Sequence, residues 1–260
     1  MSTRNGADEP IQFGPQSLFG MYCPAAGSTP RGGVLLCAPI GQEQIRGHRL
    51  YRQLAHAMAA AGFAVLRFDC YGTGDSPGES LKVSWPQCLA DTATAAAELR
   101  RRSGCDQLAA YGTRIGGSLA LAAAPAAGLA RLILWDPILD GAAYVVQLDA
   151  WQEWLRKDPG RYPRPRPAAD AAGQWLGFAV SPALRHQLLQ WRPEPPAVPT
   201  VLLQSAEVAT QPVPSSFLAA GVQRRTLATP SPWLDPGRLE TTVFAPDMVR
   251  AACDCLLGTA

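Results

Sequence analysis

The stretch LAAYGTRIGGSLA, residues 108–120, determines how the rest of the chain is interpreted. It begins as a short apolar run that is typical of a buried strand, and it continues as a small-residue segment that is typical of a helix. Gly112 and Gly116 lie on either side of the point where the strand pattern gives way to the helix pattern. Glycine is the usual residue where the backbone turns sharply or packs closely. Arg114 lies between them. The stretch therefore predicts a strand, a tight turn and a helix, with a cationic side chain at the turn.

Size and composition indicate one folded domain with a large core. The chain has 260 residues, of which 47% are hydrophobic and 17% are charged, and α/β folds of this size often form a single domain. A formal net charge of +2 gives no dense basic face, which argues against nucleic acid as the main ligand. No apolar run reaches the roughly 18–20 residues of a membrane helix, and the N-terminal segment lacks the apolar core of a secretion signal. We therefore expect a cytoplasmic protein without a membrane span.

The seven cysteines do not predict a metal site. Cys253 and Cys255 form a C-x-C pair without a second pair or a nearby histidine. Cys37 and Cys70 lie within or at the end of apolar strand-like runs, where a thiol behaves as a small hydrophobic group. The sequence therefore predicts neither a metal nor a cofactor.

Short apolar runs alternate with helical patterns along most of the chain. This alternation predicts an α/β fold with a mostly parallel central sheet and helices on both faces. An antiparallel edge hairpin is expected at 11–25, before the first parallel strand. The other predicted strands are 32–40, 63–70, 106–112, 131–138, 199–205 and 222–229, and the predicted helices are 43–61, 84–103, 114–127, 213–220 and 243–257.

The alternation is interrupted between the fourth and the fifth parallel strand. Residues 140–197 contain four tryptophans and the segment KDPGRYPRPRP, which no strand or helix interior tolerates. We interpret 140–197 as a small helical cap that is inserted over the strand ends of a single domain spanning 1–260.

Three stretches resemble the α/β-hydrolase superfamily, namely PIGQEQIRGHRLYRQLAHAMAAAGFAVLRFDCYGTGDSPGE (39–79), AYGTRIGGSLAL (110–121) and LILWDPILDG (132–141). More narrowly, they resemble the serine-aminopeptidase-like proteins that include the exosortase-system-associated hydrolases, and so do FAVSPALRHQLLQW (178–191) and SPWL (231–234). The resemblance covers about residues 15–257 and implies an α/β-hydrolase fold. It also identifies the turn as the nucleophile elbow, G-x-S-x-G, with Arg114 in the serine position, a degenerate elbow that is common in that subgroup.

Hydrolysis in this superfamily requires a serine, an acid and a histidine in that chain order. The serine position holds Arg114, and the segment where the histidine is expected, 229–234, reads TPSPWL. The acid is ambiguous, because either Glu207 or one of Asp136 and Asp140 follows a suitable strand. Asp136, in the sequence WDP, is also typical of a turn-forming or capping residue. Ordinary serine hydrolysis is therefore not expected.

Other side chains near the elbow are weaker candidates for a rearranged catalytic set. Thr113 precedes the elbow by one residue and is expected to point away from the site. Ser118 lies about one helical turn later and is expected to face the sheet or a neighbouring helix. Cys70 ends a strand at the expected edge of the site but is more typical of a buried thiol. His48 approaches the site from the loop side, while His56 and His186 are expected at the surface.

The environment of Arg114 suggests an anion-binding site as one interpretation. The residue would lie at a helix N-terminus, where free N–H groups favour negative charge. A guanidinium also matches the geometry of a carboxylate or phosphate. This interpretation predicts a pocket for a carboxylate, a thioester carbonyl or a phosphopantetheine group. The backbone N–H groups expected to complete it, in an arrangement like an oxyanion hole, are those of Ile40, Gly41, Gln42 and Ile115.

The second interpretation is that Arg114 pairs with an acid of the protein and fills the vacated site. The candidate partners are Glu43, Asp69, Asp75 and Asp136. Asp75, in the segment GTGDSPG, is expected to brace the turn beside the site. Asp75, Asp136 and His48 are the expected supporting residues.

These observations favour a triad-less pseudoenzyme that binds an acyl or biosynthetic intermediate, or supports a protein partner, without hydrolysis. Two alternatives stay open. One is an enzyme for acyl transfer, cyclisation or thioester chemistry that uses Arg114 and the backbone donors. The other is an esterase or thioesterase with a rearranged catalytic set. A tunnel lined by Trp151, Trp154, Trp175 and Trp233 would favour a lipid or acyl ligand.

Overall fold

The computed structural model describes residues 8–258, and its centre is an eight-stranded sheet. The strands of this sheet are β1 (Glu9–Phe13), β2 (Leu18–Cys23), β3 (Gly33–Cys37), β4 (Ala64–Phe68), β5 (Leu108–Thr113), β6 (Arg131–Trp135), β9 (Thr200–Gln204) and β10 (Gln223–Thr226). Two further short strands, β7 (Gln174–Trp175) and β8 (Phe178–Ala179), lie outside it. The sheet has the order β1-β2-β4-β3-β5-β6-β9-β10, and β7 pairs only with β8. β1 and β2 form the expected antiparallel hairpin, β2 is antiparallel to β4, and the remaining neighbours in the sheet are parallel. The predicted, mostly parallel sheet is confirmed.

The helices alternate with the parallel strands. They are α1 (Gly41–Ala60), α2 (Trp85–Ser103), α3 (Ile115–Ala127), α4 (Gly141–Lys157), α5 (Ala168–Ala171), α6 (Pro182–Gln190), α7 (Ser215–Ala219) and α8 (Pro246–Leu257). Within the part of the chain that the structure describes, no helix is long and apolar enough to cross a membrane. The strand predicted at 131–138 ends earlier, at Trp135, because Asp136 has a φ of 44° and Pro137 follows it.

The core has two layers, one on each face of the sheet. Along β3 the fully buried residues alternate, so that Leu35 packs towards α2 and α3 while Leu36 packs towards α1 and α8. Burial on both faces explains why the central strands are continuous apolar runs.

The segment between β6 and β9 contains α4, α5, the β7–β8 hairpin and α6. It is attached to the beginning of α2, because the Ser181 hydroxyl donates to the Val83 carbonyl at 2.9 Å and the Trp85 N–H donates to Gln187 Oε1 at 2.8 Å. Leu148 and Leu188 extend the core on this side. This segment coincides with the predicted insertion at 140–197; its role as a cap stays a prediction.

The start of α3 packs against β3 so closely that only glycine fits. A Cβ at Gly116 would lie inside van der Waals distance of the carbonyl oxygens of Cys37 and Ala38. Gly116→Ala is therefore expected to lower the free energy of unfolding by about 2–3 kcal/mol in chemical denaturation. Gly47→Ala, in α1, is the matched control. Its Cβ would make ordinary contacts of 3.6 Å or more, so the change is expected to stabilise by about 0.5–1 kcal/mol.

Candidate functional site

Arg114 is the turn residue between β5 and α3. Its φ of 54° and ψ of −129° lie in a region that L-residues rarely adopt, and such a conformation costs about 1–3 kcal/mol. The surrounding backbone fixes it, since its N–H donates to the Trp135 carbonyl at 3.1 Å and its carbonyl accepts from the N–H groups of Gly117 and Ser118. In α/β-hydrolases a strained strand-to-helix turn of this kind carries the nucleophile.

The side chain of Arg114 forms a buried ion pair with Glu43, from the first turn of α1. Nε donates to Glu43 Oε1 at 2.9 Å, and Nη2 donates to Gln147 Oε1 at 2.9 Å. The Tyr144 hydroxyl donates to the second carboxylate oxygen of Glu43 at 2.9 Å, and its ring lies 5.4 Å from the guanidinium carbon. Arg114 is only 5% exposed and Glu43 only 3%. We call Arg114, Glu43, Tyr144 and Gln147 the elbow cluster.

The contacts within the elbow cluster favour the second interpretation of the arginine, in which it pairs with an acid of the protein. Nε and Nη2 both donate to acceptors of the protein itself, and the carboxylate partner is Glu43 rather than Asp69 or Asp75. Burial lowers the pKa of the Arg114 guanidinium, but the charges of Glu43, Tyr144 and Asp136 and the hydrogen bond to Glu43 together outweigh burial, so that the pKa is raised. Arg114 is therefore a cation that is compensated internally.

Asp136 follows β6 and is fully buried. Its Oδ1 accepts from the Ser205 N–H at 2.8 Å, and its Oδ2 accepts from the hydroxyls of Ser205 at 2.6 Å and Ser231 at 3.1 Å. Burial raises the pKa of this carboxyl, and the hydrogen bonds from Ser205 oppose the rise. Asp136 thus does more than form a turn, because it joins the end of β9 to the loop that contains Ser231.

The loop around Ser231 is the place where the resemblance to the α/β-hydrolases predicts a histidine. Glu207 Oε2 accepts from the Ser231 N–H at 2.7 Å, so two of the three candidate acids, Asp136 and Glu207, bind the same residue. Arg46 of α1 donates to the Pro232 carbonyl at 2.6 Å and lies 5.7 Å from the centre of the Trp233 ring. Ser231 and Arg46 were missed at the level of sequence. The motif SPWL marked the loop, but nothing in the sequence connected it to Asp136.

A cavity of about 710 Å³ lies beside the elbow cluster. Its walls come from the carboxyl ends of β3 and β4, from β2, from the first turns of α1, and from α4, the β7–β8 hairpin and α6. Glu43 and Tyr144 line it, whereas Arg114 and Asp136 do not. The cavity is therefore displaced from the turn, and Glu43 and Tyr144 form the wall between them.

The structure brings three of the four candidate backbone donors to the cavity. Ile40, Gly41 and Gln42 line it at the N-terminus of α1, while Ile115 is buried outside the lining. Gly41 has a φ of 58°, and a Cβ there would lie 3.6 Å from the Phe178 ring. The lining thus includes three of the four candidate donors, and their role as a set like an oxyanion hole stays a prediction.

One wall of the cavity is polar and contains Asp69. Its Oδ1 accepts from Gln44 Nε2 at 2.7 Å and its Oδ2 accepts from the Asp75 N–H at 3.0 Å. The Ser76 hydroxyl donates to the Asp69 carbonyl at 2.6 Å and accepts from the Phe19 N–H at 2.9 Å. The turn that follows β4 is thus held together by Asp69 and Ser76. The exposed Asp75 contributes its backbone N–H. His48 is exposed and lines the same wall.

The pH dependence of stability should reveal the buried carboxyl of Asp69. Burial raises its pKa above the ordinary 3.8, so its ionised form is less favourable in the folded chain than in the unfolded one. Its contribution to stability is therefore fully present below 3.8 and is lost as the pH rises through the raised pKa. Asp69→Asn is expected to unfold at a higher denaturant concentration than the wild type at pH 7, and this advantage should disappear towards pH 3.8. Asp106→Asn, at an exposed position, is the matched control for the exchange of a carboxylate for an amide.

The replacement nucleophiles lie away from the cavity. Thr113 is fully buried and shares a hydrogen bond of 2.9 Å with the Tyr111 hydroxyl. The Ser118 hydroxyl donates to the Ile138 carbonyl at 2.6 Å. Cys70 is buried beside Cys88, which raises the pKa of its thiol together with burial. None of Thr113, Ser118 and Cys70 is part of the lining.

Within residues 8–258, no tunnel lined by the four tryptophans, which would have favoured a lipid or acyl ligand, is found. Of the four tryptophans named for it, only Trp175 lines the cavity. Trp233 instead packs edge-on against Trp135, with ring centres 5.3 Å apart, on the other face of the sheet. Trp151 is buried in the core and Trp154 is exposed.

One trio of side chains has the spacing of metal ligands, but its surroundings are cationic. Ligand atoms of Asp8, Cys23 and His56 lie within 4.8 Å of one another. Asp8 also pairs with Arg67 at 3.1 Å and with Arg52 at 3.8 Å. Two guanidinium groups beside the carboxylate disfavour the binding of a metal cation there, so we interpret the trio as part of an ion-pair cluster.

Comparison with known proteins supports the fold. The solved structure of Est1E from Butyrivibrio proteoclasticus with ferulic acid bound has a TM-score of 0.63 and 14% identity, over 95% of this chain and 98% of that one. A highly thermostable carboxyl esterase from Bacillus coagulans has a TM-score of 0.60 and 16% identity, over 98% and 99%. A proline iminopeptidase-related protein from Thermus thermophilus has a TM-score of 0.59 and 17% identity, over 97% of both chains.

At these identities the solved structures establish the fold alone, and no curated protein sequence matches the chain. The family comparison is more specific. The model of the family described as serine aminopeptidase, S33, matches residues 44–176, slightly more than half of the chain. The matched region includes most of α1, the turn after β4 that contains Asp69, and the strained turn at Arg114. The chain therefore belongs to the serine aminopeptidase S33 family, and its structure is an α/β-hydrolase fold.

Proposed function

We propose that this chain is a non-hydrolytic member of its family that binds an apolar small molecule, such as an acyl or biosynthetic intermediate. The observation that carries the proposal is the elbow cluster. Arg114 occupies the turn that carries the nucleophile in hydrolases, and Glu43 holds its guanidinium in a buried ion pair. An arginine in this state neither attacks a carbonyl nor accepts a proton.

The second support is the absence of a base where a triad needs one. Asp136 accepts from Ser231 in the loop where a histidine is expected, so the carboxylate has no imidazole to orient. His56 pairs with Asp8 and His186 is exposed on α6, and neither lines the cavity. His48 lines the cavity, but Thr113, Ser118 and Cys70 do not, which disfavours a rearranged hydrolase.

The cavity supports binding as the remaining role. Its volume of about 710 Å³ is within the range of pockets for small molecules. Apolar and aromatic side chains from both walls line it, including Phe19, Phe68, Leu148, Trp175, Phe178 and Leu184. The walls from α4, β7–β8 and α6 belong to the inserted segment, which we propose acts as a cap. A protein partner is compatible with this role.

A second candidate function is an enzyme that polarises a bound carbonyl for acyl transfer, cyclisation or thioester chemistry. The observation that favours it is that Ile40, Gly41 and Gln42 line the cavity at the N-terminus of a 20-residue helix. Free N–H groups at such a terminus stabilise developing negative charge. This candidate does not need a nucleophile of the protein.

Turnover measurements on purified protein separate the two candidates. The substrates are p-nitrophenyl esters, acyl-thioesters and aminoacyl p-nitroanilides, assayed with the wild type and with Ala179→Trp. Ala179 is exposed and lines the cavity, so a tryptophan there obstructs it with little strain in the core. The binding proposal expects no turnover above the uncatalysed rate in either protein. Saturable wild-type turnover that Ala179→Trp abolishes would overturn it in favour of the enzyme.

A further inference from the structure

A second cavity, of about 320 Å³, lies within the inserted segment. Its walls come from α4, α5, the β7–β8 hairpin and α6. Trp175 and Val180 also line the cavity beside the elbow cluster, so the two cavities adjoin at the hairpin. The volume is at the lower end of the range for pockets that bind small molecules.

One face of α4 supplies the polar wall of the second cavity. Asp149, Gln152, Glu153 and Arg156 follow the i, i+3, i+4, i+7 spacing that places side chains on the same side of a helix. The neighbouring face of α4 is apolar and packs in the core. A polar helix face normally lies in solvent, whereas α5 and the hairpin enclose this one. Its polar groups therefore need partners other than bulk water.

The charged residues of the lining are partnered within the protein. Asp149 accepts from Arg185 Nη1 at 2.8 Å and from Arg185 Nη2 at 2.7 Å. Arg156 Nη2 donates to Glu153 Oε1 at 2.6 Å, and Arg156 Nη1 donates to the Arg166 carbonyl at 2.9 Å. The two acids and the two arginines of the lining thus cancel in pairs, and the wall does not select a charged ligand.

Gln152 is the exception on this face. It is 8% exposed, and its Oε1 is buried without a hydrogen-bond partner. Within residues 8–258 its Nε2 donates to no acceptor either. Turning the amide over would bury an unpartnered N–H group instead of an unpartnered oxygen, so the deficit exists in both orientations. A buried amide without partners costs stability in the free protein, and a ligand in the second cavity would supply the partner.

The rest of the lining favours a small apolar body. Ala171 and Trp175 are buried, and Ala168, Ala172 and Val180 complete the apolar wall. Such walls bind a ligand by burial of its apolar surface. A primary carboxamide or a lactam presents its N–H and its C=O on the same side, so it can both donate to and accept from the amide of a glutamine.

We propose that the second cavity binds a small neutral molecule with an apolar body and a primary carboxamide or lactam group, and that this group pairs with the side-chain amide of Gln152. The site lies outside the elbow cluster and outside the cavity beside it. The inference therefore goes beyond the proposed function and does not depend on it.

Three probes of nearly the same shape test the role of Gln152. They are benzamide, whose head group donates and accepts, acetophenone, which only accepts, and benzoate, which is charged at pH 7. In ligand-observed NMR titrations the wild type is expected to bind benzamide about tenfold more tightly than acetophenone, and to bind benzoate most weakly. Gln152→Met, which keeps the length of the side chain, is expected to lower the affinity for benzamide to that for acetophenone. An unchanged affinity for acetophenone reports that the variant cavity is intact.

Two tryptophan variants locate the binding. Ala172 is exposed and lines the second cavity alone, whereas Ala179 is exposed and lines only the cavity beside the elbow cluster. Ala172→Trp is expected to abolish the binding of benzamide, and Ala179→Trp is expected to leave it unchanged. Gln190→Met, at an exposed position of α6 outside both linings, is the matched control for the exchange of glutamine and should keep the preference for benzamide.

Equal affinities of the wild type for benzamide and acetophenone would show that solvent satisfies Gln152, and they would overturn the inference. So would a preference for benzamide that survives Gln152→Met, binding that Ala179→Trp abolishes and Ala172→Trp does not, or no binding of any probe. These outcomes are independent of the turnover measurements that test the proposed function.

Discussion

Arg114→Met is expected to lower the free energy of unfolding by about 3–5 kcal/mol, the largest effect on stability of any change considered. The cause is the carboxylate that the substitution leaves behind. Glu43 is 3% exposed and would lose the donor at 2.9 Å that compensates its charge. An uncompensated buried charge destabilises a fold far more than an intact pair stabilises it. Chemical denaturation at pH 7 measures the effect.

The double variant Arg114→Met/Glu43→Gln separates charge from shape. Glutamine keeps an acceptor for the Tyr144 hydroxyl but carries no charge, so most of the lost stability is expected to return. Arg250→Ala, at an exposed ion pair with Asp247, is the surface control and should leave the midpoint unchanged. A loss below about 1 kcal/mol for Arg114→Met alone would contradict the ion pair as the reason for arginine at this turn.

Rebuilding a triad is expected to create hydrolytic activity in this fold. The variant combines Arg114→Ser, Glu43→Gln and Ser231→His, which places a nucleophile at the turn and a base in the loop that Asp136 already holds. The Ser231 hydroxyl lies 3.1 Å from Asp136 Oδ2, so an imidazole at this position is within reach of the acid that orients it. General-base assistance contributes about a hundredfold or more. We expect at least that gain in p-nitrophenyl acetate turnover over the variant that lacks Ser231→His.

The control for this gain is a fourth substitution, Asp136→Asn. It keeps the size of the buried side chain but removes the carboxylate, so the new activity should fall back towards the background. A folded triple variant without any gain would contradict the interpretation that Ser231 occupies the place of the histidine.

The fold was largely predictable because its signals are local. The alternation of apolar runs with helical patterns predicted the parallel sheet, and the small residues of 108–120 predicted the turn at Arg114. Strand ends were less certain, since the stop at Trp135 comes from the backbone conformation of Asp136, whose carboxylate binds Ser205 and Ser231 far along the chain.

The site was predictable only in part, because its partners are distant in sequence. The sequence offered four acids for Arg114, and the structure pairs it with Glu43, 71 positions away, only because α1 and α3 both begin at the carboxyl ends of neighbouring strands. The position of the cavity depends on the inserted segment, whose irregular, proline-rich pattern carries no periodic signal. Asp69 appeared in the sequence only as one candidate among these acids, and its position in the cavity wall follows from tertiary packing that no local pattern encodes.

The central claim is that the wild-type chain has no activated nucleophile. The most direct test is incubation with an alkyl fluorophosphonate, which phosphonylates serine only when a base activates it, followed by measurement of the intact mass. The account predicts that the wild-type mass stays unchanged over an incubation that labels a hydrolase of the same fold completely. A stoichiometric adduct on any serine, threonine or cysteine of the wild type would contradict it.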